Sequence, residues 1–315
     1  MNTEGNTASD DAPLLSVIVP TYNYGNMLQR ALSSVLSQMD TRSELIVVDD
    51  GSTDDTPQIL AGTSIPQGLS CRFVRQDNAG PAAARNHGLR LSRGRFLLFL
   101  DADDEMLPGA LNSVLDALNQ AEARGKEPGL ILGAHIAVYP DGREKQDKAT
   151  PITGTPYQRI KEYLFGKRIS ICHGASVFRR DLLERRPYPE HIRQGEDKPV
   201  FAYLIAHAET MTLDASLVRI HKHADSLRRN TELAQSSREA VLETMFEKLP
   251  TECQPLKRRY AAKQYLSVFR NCYRAGQYPL AQRYFHQAWR ADWRLALQWS
   301  YLGKYLRLRL NPWKR

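Results

Sequence analysis

The chain has 315 residues, 42% hydrophobic and 25% charged, the balance of a soluble globular protein long enough for one large domain or two. No apolar run is long enough to span a bilayer, and the polar, acidic stretch from Met1 to Pro13 has no signal-peptide core. Cys71, Cys172, Cys253 and Cys272 lie far apart, which argues against a zinc site and suits the reduced thiols of a cytoplasmic protein. The net charge of +8 is uneven: residues 250–315 carry 14 Lys and Arg against two acids and hold all four tryptophans, while the first 249 residues sum to −4. The chain therefore divides by its physics into a disordered N-terminus (1–13), a globular region (14–230) and a basic helical region (231–315).

Leu14 to Val19 reads as a strand that ends at Pro20-Thr21-Tyr22-Asn23, and Met27, Ala31, Leu32, Val35 and Leu36 then recur at helical spacing. A second strand, Glu44 to Val48, runs into Asp49-Asp50-Gly51-Ser52-Thr53-Asp54, where Ser52 or Thr53 can cap the next helix. A third strand, Cys71 to Arg75, leads to Asn78-Ala79-Gly80-Pro81 and a helix from Ala82 to Leu91. The five apolar residues Phe96 to Leu100 then form a buried central strand. Strand and helix alternate at short intervals, so the expected fold class is α/β, a doubly wound, Rossmann-like and largely parallel sheet, with a C-terminal helical extension.

Straight after the central strand come Asp101, Asp103, Asp104 and Glu105. Carboxylates this crowded repel one another unless a cation sits among them, and a hard, oxygen-seeking ion such as Mn²⁺ or Mg²⁺ suits them. The bland alternative is capping of the helix near Pro108, but capping needs only one acid. Thr21 and Tyr22, Asp50 and Asp103 each follow a strand end, as the walls of a nucleotide crevice do. The loops contain neither Gly-x-x-x-x-Gly-Lys-Ser/Thr nor Gly-x-Gly-x-x-Gly, which excludes a P-loop ATPase and a dinucleotide dehydrogenase.

Val17-Ile18-Val19-Pro20-Thr21-Tyr22-Asn23, Val47-Val48-Asp49-Asp50-Gly51-Ser52-Thr53-Asp54 and Leu100-Asp101-Ala102-Asp103-Asp104 resemble the three successive blocks of glycosyltransferase family 2. Asn78-Ala79-Gly80 with Ala84-Arg85-Asn86-His87-Gly88 resembles the intervening helix block, and the likeness covers about residues 14–225. It implies an inverting enzyme of the GT-A fold, over 14–230, that uses nucleotide-sugars. Carried over by position, Pro20, Thr21, Tyr22, Asp50, Asp101 and Ala102 line the nucleotide, with Asp50 accepting from a base N–H and Asp101 near the ribose. Asp103 ligates the metal. Arg85 is either a phosphate contact or a solvated helix residue.

Gly129 to Tyr139 is a further apolar segment. Ser170 to Phe178 reads as a strand interrupted by Gly174, placing His173 on the acceptor side or in the core; Asp104 is a second acceptor-side candidate. Glu196 and Asp197 open a helix, where acids suit the dipole. The resemblance makes Asp197 the catalytic base, with Glu196 in support, since inversion needs a carboxylate opposite the leaving group. In the strand and turn from Leu217 to Ser226, His223 matches a family histidine near the diphosphate or metal, while His221 stands where the family often has Arg.

The region after Glu232 reads as helical, with a hairpin about Arg274-Ala275-Gly276-Gln277-Tyr278 that must pack on the catalytic domain or a partner. Its last stretch, Trp293 to Arg315, mixes aromatic and basic residues without one clean charged face. It reads either as a surface for an anionic membrane, peripheral on the inner face of the cytoplasmic membrane, or as a subdomain with buried tryptophans; no nucleic-acid motif accompanies the charge. The whole implies transfer of a sugar from a nucleotide-sugar, a UDP-sugar in the family's manner, to a glycan or glycolipid acceptor of a bacterial surface. A sugar-nucleotide nucleotidyltransferase and a non-catalytic sugar-nucleotide-binding scaffold are the alternatives.

Overall fold

The computed structural model describes residues 12–166, 168–222 and 237–310. Among these, nine strands form one sheet. Its first half is parallel and built as the sequence predicts: β1 (Leu15–Thr21), β2 (Ser43–Asp49), β3 (Ser70–Arg75) and β4 (Phe96–Phe99) lie in the order β3-β2-β1-β4. The helices α1 (Gly25–Leu36), α2 (Thr56–Gly62) and α3 (Pro81–Leu91) connect them.

Beyond β4 the expectation of a largely parallel sheet fails. The other strands are β5 (Glu105–Met106), β6 (Leu130–Val138), β7 (Glu144–Asp147), β8 (Ser176–Arg179) and β9 (Thr210–His221). β8 runs antiparallel to both β4 and β6, β6 pairs in parallel with β9, and β5 and β7 join antiparallel at the margins. The predicted strand Ser170–Phe178 is shorter than expected: a 3₁₀ turn, His173–Ala175, precedes β8. At that turn Gly174 passes the side chain of Val218 so closely that a Cβ would lie 2.8 Å from it. The helix expected at Pro108 is α4 (Ala110–Ala123), which begins after Gly109 in the left-handed conformation.

Alternation along the parallel strands sends apolar side chains to both faces of the sheet. Val17, Val19, Val47 and Leu98 pack under α1 and α4. Ile18, Ile46, Val48, Leu97 and Phe99 pack on the opposite face under α3, α5 (Pro156–Phe165), α6 (Arg180–Arg185) and α7 (Asp197–His207). The same core continues into the tail through Met245 and Phe246 of α8 (Arg238–Glu247), Cys253, and Leu256 and Tyr260 of α9 (Leu256–Arg274). Only then does a separate core begin. The rest of α9 pairs with α10 (Tyr278–Ala291) as the predicted hairpin, followed by α11 (Trp293–Ala296) and α12 (Trp299–Leu310). Leu266, Phe269, Cys272, Ala281, Phe285 and Leu308 fill that second core.

Candidate active site

The parallel strands end at one edge, and their loops are tied to one another. The Asp50 N–H donates to the Thr21 carbonyl at 2.9 Å and Leu100 N–H to that of Ile18 at 2.9 Å. Pro20 follows this last bond to the central strand, so its missing donor costs the ladder nothing. Asn23 accepts from Thr53 N–H at 2.7 Å, and its own N–H donates to Ser52 Oγ at 3.0 Å. Gly51, with φ +76°, turns so tightly that a Cβ would lie 2.9 Å from Asn78 N, a conformation that favours glycine.

Asp50 is buried, and its carboxylate accepts from Gln76 Nε2 (2.7 Å), Ala79 N–H (2.9 Å) and Gly80 N–H (2.8 Å). The candidate base reader thus also fixes the loop that opens α3, leaving limited acceptor capacity for a ligand. Gln76 is a partner the sequence did not announce; its other amide end meets His87 Nδ1 at 2.7 Å. Of the remaining nucleotide-side candidates, Tyr22 is 44% exposed at the mouth. Thr21 is buried, its hydroxyl without a partner among the described residues, and Ala102 is buried beside the acids.

Asp101, Asp103 and Asp104 come together, with one carboxylate oxygen of each within 4.8 Å of the others. Asp104, also a candidate for the acceptor side, belongs to this acid group. It is buried and accepts from His221 N–H at 3.0 Å. Burial, with the neighbouring charges of Asp101 and Asp103, pushes its carboxyl up to about 8. Three carboxylates this close together fit a hard divalent cation. The loop is braced from outside, since Arg30 donates to the Asp103 carbonyl at 2.6 Å and Arg219 pairs with Glu105 at 2.8 Å.

α3 brings the least anticipated residue. Ala82, Ala83, Ala84 and Gly88 let this helix approach the sheet closely; a Cβ on Gly88 would lie 2.4 Å from Ile18 Cγ2. Arg85 is consequently buried rather than solvated. One Nη donates to Asp101 at 2.9 Å and the other to Glu196 at 2.8 Å, while the guanidinium lies 5.6 Å from the centre of the Tyr188 ring. Burial raises the Glu196 carboxyl above its ordinary value although Arg85 pulls it down. Asn86, next in the helix, clamps Tyr188 by accepting from its N–H (2.9 Å) and donating to its carbonyl (2.8 Å). Asp197 opens α7, partly exposed. Burial, reinforced by the Asp197 charge, raises the hydroxyls of Tyr188 and of Tyr260 from the tail, the latter to about 12.

His173 takes its core alternative. It is buried, its Nε2 is 2.9 Å from the Tyr188 hydroxyl, and Phe99, Phe178 and Phe201 surround its ring. His223 lies outside the described residues. Sequence reasoning missed the Arg85 bridge and Tyr188; the signal for the first was the run of small residues around an arginine, which marks a close-packed helix.

Known proteins resemble this chain in sequence and in fold. The chain is 30% identical over 185 residues to a GalNAc(5)-diNAcBac-PP-undecaprenol beta-1,3-glucosyltransferase of Campylobacter jejuni, which covers 58% of this chain and 57% of that protein. It is 30% identical over 208 residues to the succinoglycan biosynthesis protein ExoO of Rhizobium meliloti, covering 63% and 58%. The match thus spans under three-fifths of each relative's own length. The solved structure of Staphylococcus aureus TarS 1-349 with UDP-GlcNAc superposes with a TM-score of 0.58 at 22% identity, over 94% of this chain and 91% of that one. A mannosyltransferase of Pyrobaculum calidifontis with GDP-Man and Mn²⁺ gives 0.53 at 19%, over 97% and 83%. These likenesses establish the GT-A fold with a C-terminal helical region. The model of the family described as Glycosyl transferase family 2 matches residues 16–186, and the chain belongs to that family.

Proposed function

We propose that the protein is an inverting, metal-dependent glycosyltransferase that moves a sugar from a UDP-sugar to an acceptor hydroxyl in bacterial polysaccharide or lipid-linked glycan synthesis. The observation that carries the reading is the Arg85 bridge, in which one buried guanidinium joins Asp101 of the acid group to Glu196, the neighbour of Asp197. Donor-side and base-side acids are thereby held as one unit, as a displacement at a single carbon requires.

In this reading Tyr22 stacks on the base and Asp50 accepts from its N–H, while Asp101 meets the ribose. Asp103, with Asp101 and Asp104, would hold Mn²⁺ or Mg²⁺, which when bound supplies positive charge to the departing diphosphate. Asp197 accepts the proton of the acceptor hydroxyl as that oxygen bonds to the anomeric carbon. The carbon's bond to the diphosphate oxygen breaks on the opposite side, inverting the centre and releasing the nucleoside diphosphate. Glu196, fixed by Arg85, positions Asp197 at the helix start. The undecaprenol-linked substrate in the Campylobacter relative's name and the UDP-GlcNAc in the TarS complex support the substrate classes. A lipid-linked acceptor also suits a peripheral enzyme at the inner face of the cytoplasmic membrane; no described helix is long and apolar enough to cross one.

The test is Asp197→Asn. A panel of UDP-sugars with Mn²⁺, screened by thermal shift, identifies the donor first. The variant is expected to bind UDP as the wild type does while transfer falls about 10²–10⁴-fold. Near-wild-type turnover would reject Asp197 as the base.

A further inference from the structure

Helix α12 carries two apolar stripes on opposite sides, and among the described residues protein covers only one. At about 100° per residue, Tyr301, Tyr305 and Leu308 share a face that packs on the hairpin. Leu308 is buried, the Tyr305 ring stacks on Phe285 at 4.0 Å, and its hydroxyl meets His286 Nε2 at 2.8 Å. Trp299, Leu306 and Leu310 fall within about 40° of one another on the reverse side. Trp299 is 77% and Leu310 80% exposed. The Trp299 indole runs along its own helix over Gly303, where a Cβ would meet the ring in ordinary contact at 3.6 Å. The sides between the stripes are cationic, with Lys304 and Arg307 on one and Arg309 on the other, and no acid occurs from Trp293 to Leu310. The chain just before it adds exposed Trp289, Trp293 and Leu297.

The charges that spoil a single polar face in the sequence are therefore the borders of a second apolar one. We propose that this reverse stripe of α12 docks the protein on an anionic lipid surface, with Trp299, Leu306 and Leu310 entering the headgroup–acyl boundary and Lys304, Arg307 and Arg309 meeting the lipid phosphates. Tryptophan is the side chain best suited to that boundary, with an apolar body and an N–H that stays wet. Basic flanks with an apolar centre match an anionic bilayer in both charge and polarity. A second copy of the chain is a poor occupant, since it would bring the same cations face to face. The inference goes beyond the glycosyl-transfer reading and is measured without donor or acceptor.

The experiment is flotation of the full chain with phosphatidylcholine vesicles, with and without phosphatidylglycerol, at low and high salt. Two variants accompany it: Trp299→Ser with Leu306→Ser and Leu310→Ser, and Lys304→Gln with Arg307→Gln and Arg309→Gln. Circular dichroism verifies that both are folded. The wild type should partition onto anionic vesicles only, releasing at high salt, and each variant should bind roughly tenfold or more weakly. No binding, equal binding to neutral vesicles, or an apolar-stripe variant that binds like the wild type would overturn the proposal. So would a dimer in sedimentation velocity that the apolar-stripe variant abolishes, because a second copy would then be the occupant.

Discussion

Arg85 answers two carboxylates at once from a buried position, so replacing it with methionine leaves both without their cation. Breaking a buried pair from one side costs about 3–5 kcal/mol, borne mainly by Glu196, because Asp101 retains 36% side-chain exposure and water can solvate it. A lowered urea midpoint at unchanged m-value is the expected result. Arg85→Lys should recover only part of the loss, since a single ammonium cannot reproduce the forked contact. Asp104 gives a pH prediction. Its folded carboxyl is raised from 3.8 to about 8, so between those values the folded state binds the extra proton and stability falls as pH rises through the window. A divalent cation must displace that proton, and Mn²⁺ affinity should therefore climb with pH up to about 8. Calorimetric titrations at acidic and alkaline pH check this, and Asp104→Asn should flatten the dependence. Asp103→Ala should abolish the Mn²⁺-dependent part of UDP binding in the same instrument; unchanged metal-dependent affinity would remove Asp103 from the ligands.

At the scale of elements, α3 owes its place to what its residues lack. Gly88→Val should force α3 away from Ile18 on β1, an overpacking cost of about 1–3 kcal/mol visible as a lower Tm. This helix also shows what was legible in the sequence. The limits of α3 and β4, and the acids after β4, are local in the chain: pattern, small residues and a burst of charge within a dozen positions. The partners of Arg85 are 16 and 111 positions away, so its burial could not be read from its own neighbourhood, and neither of the sequence alternatives for it described an ion-paired interior residue. His173 was left open between acceptor and core for the same reason, as its aromatic cage comes from Phe99 on β4, Phe201 on α7 and Tyr188 in the loop before α7. The switch from parallel to antiparallel at β8 also has no local mark, because four buried residues of β4 look alike whichever way their neighbour runs.

For the whole molecule, the tail is two things rather than one. Met245, Phe246, Cys253, Leu256 and Tyr260 complete the main core, so a chain ending at residue 230 should fail to fold. Each such side chain is worth about 1.5–3 kcal/mol when buried, and together they rival the roughly 5–15 kcal/mol that holds a domain folded. A chain ending at residue 292 keeps that core but loses Tyr305 and Leu308 from the core of the hairpin, and by circular dichroism should keep its main cooperative transition while the hairpin melts earlier. The long reach of Arg85 also has a consequence for synthesis on the ribosome. The 111 residues between it and Glu196 take roughly 5–20 s to translate. During that interval the four parallel strands have already emerged, but Arg85 has only Asp101 to answer it. The emerging chain thus holds its parallel strands and their acid group before the helix that bears Asp197 exists, and the candidate site closes only when the second half of the sheet docks.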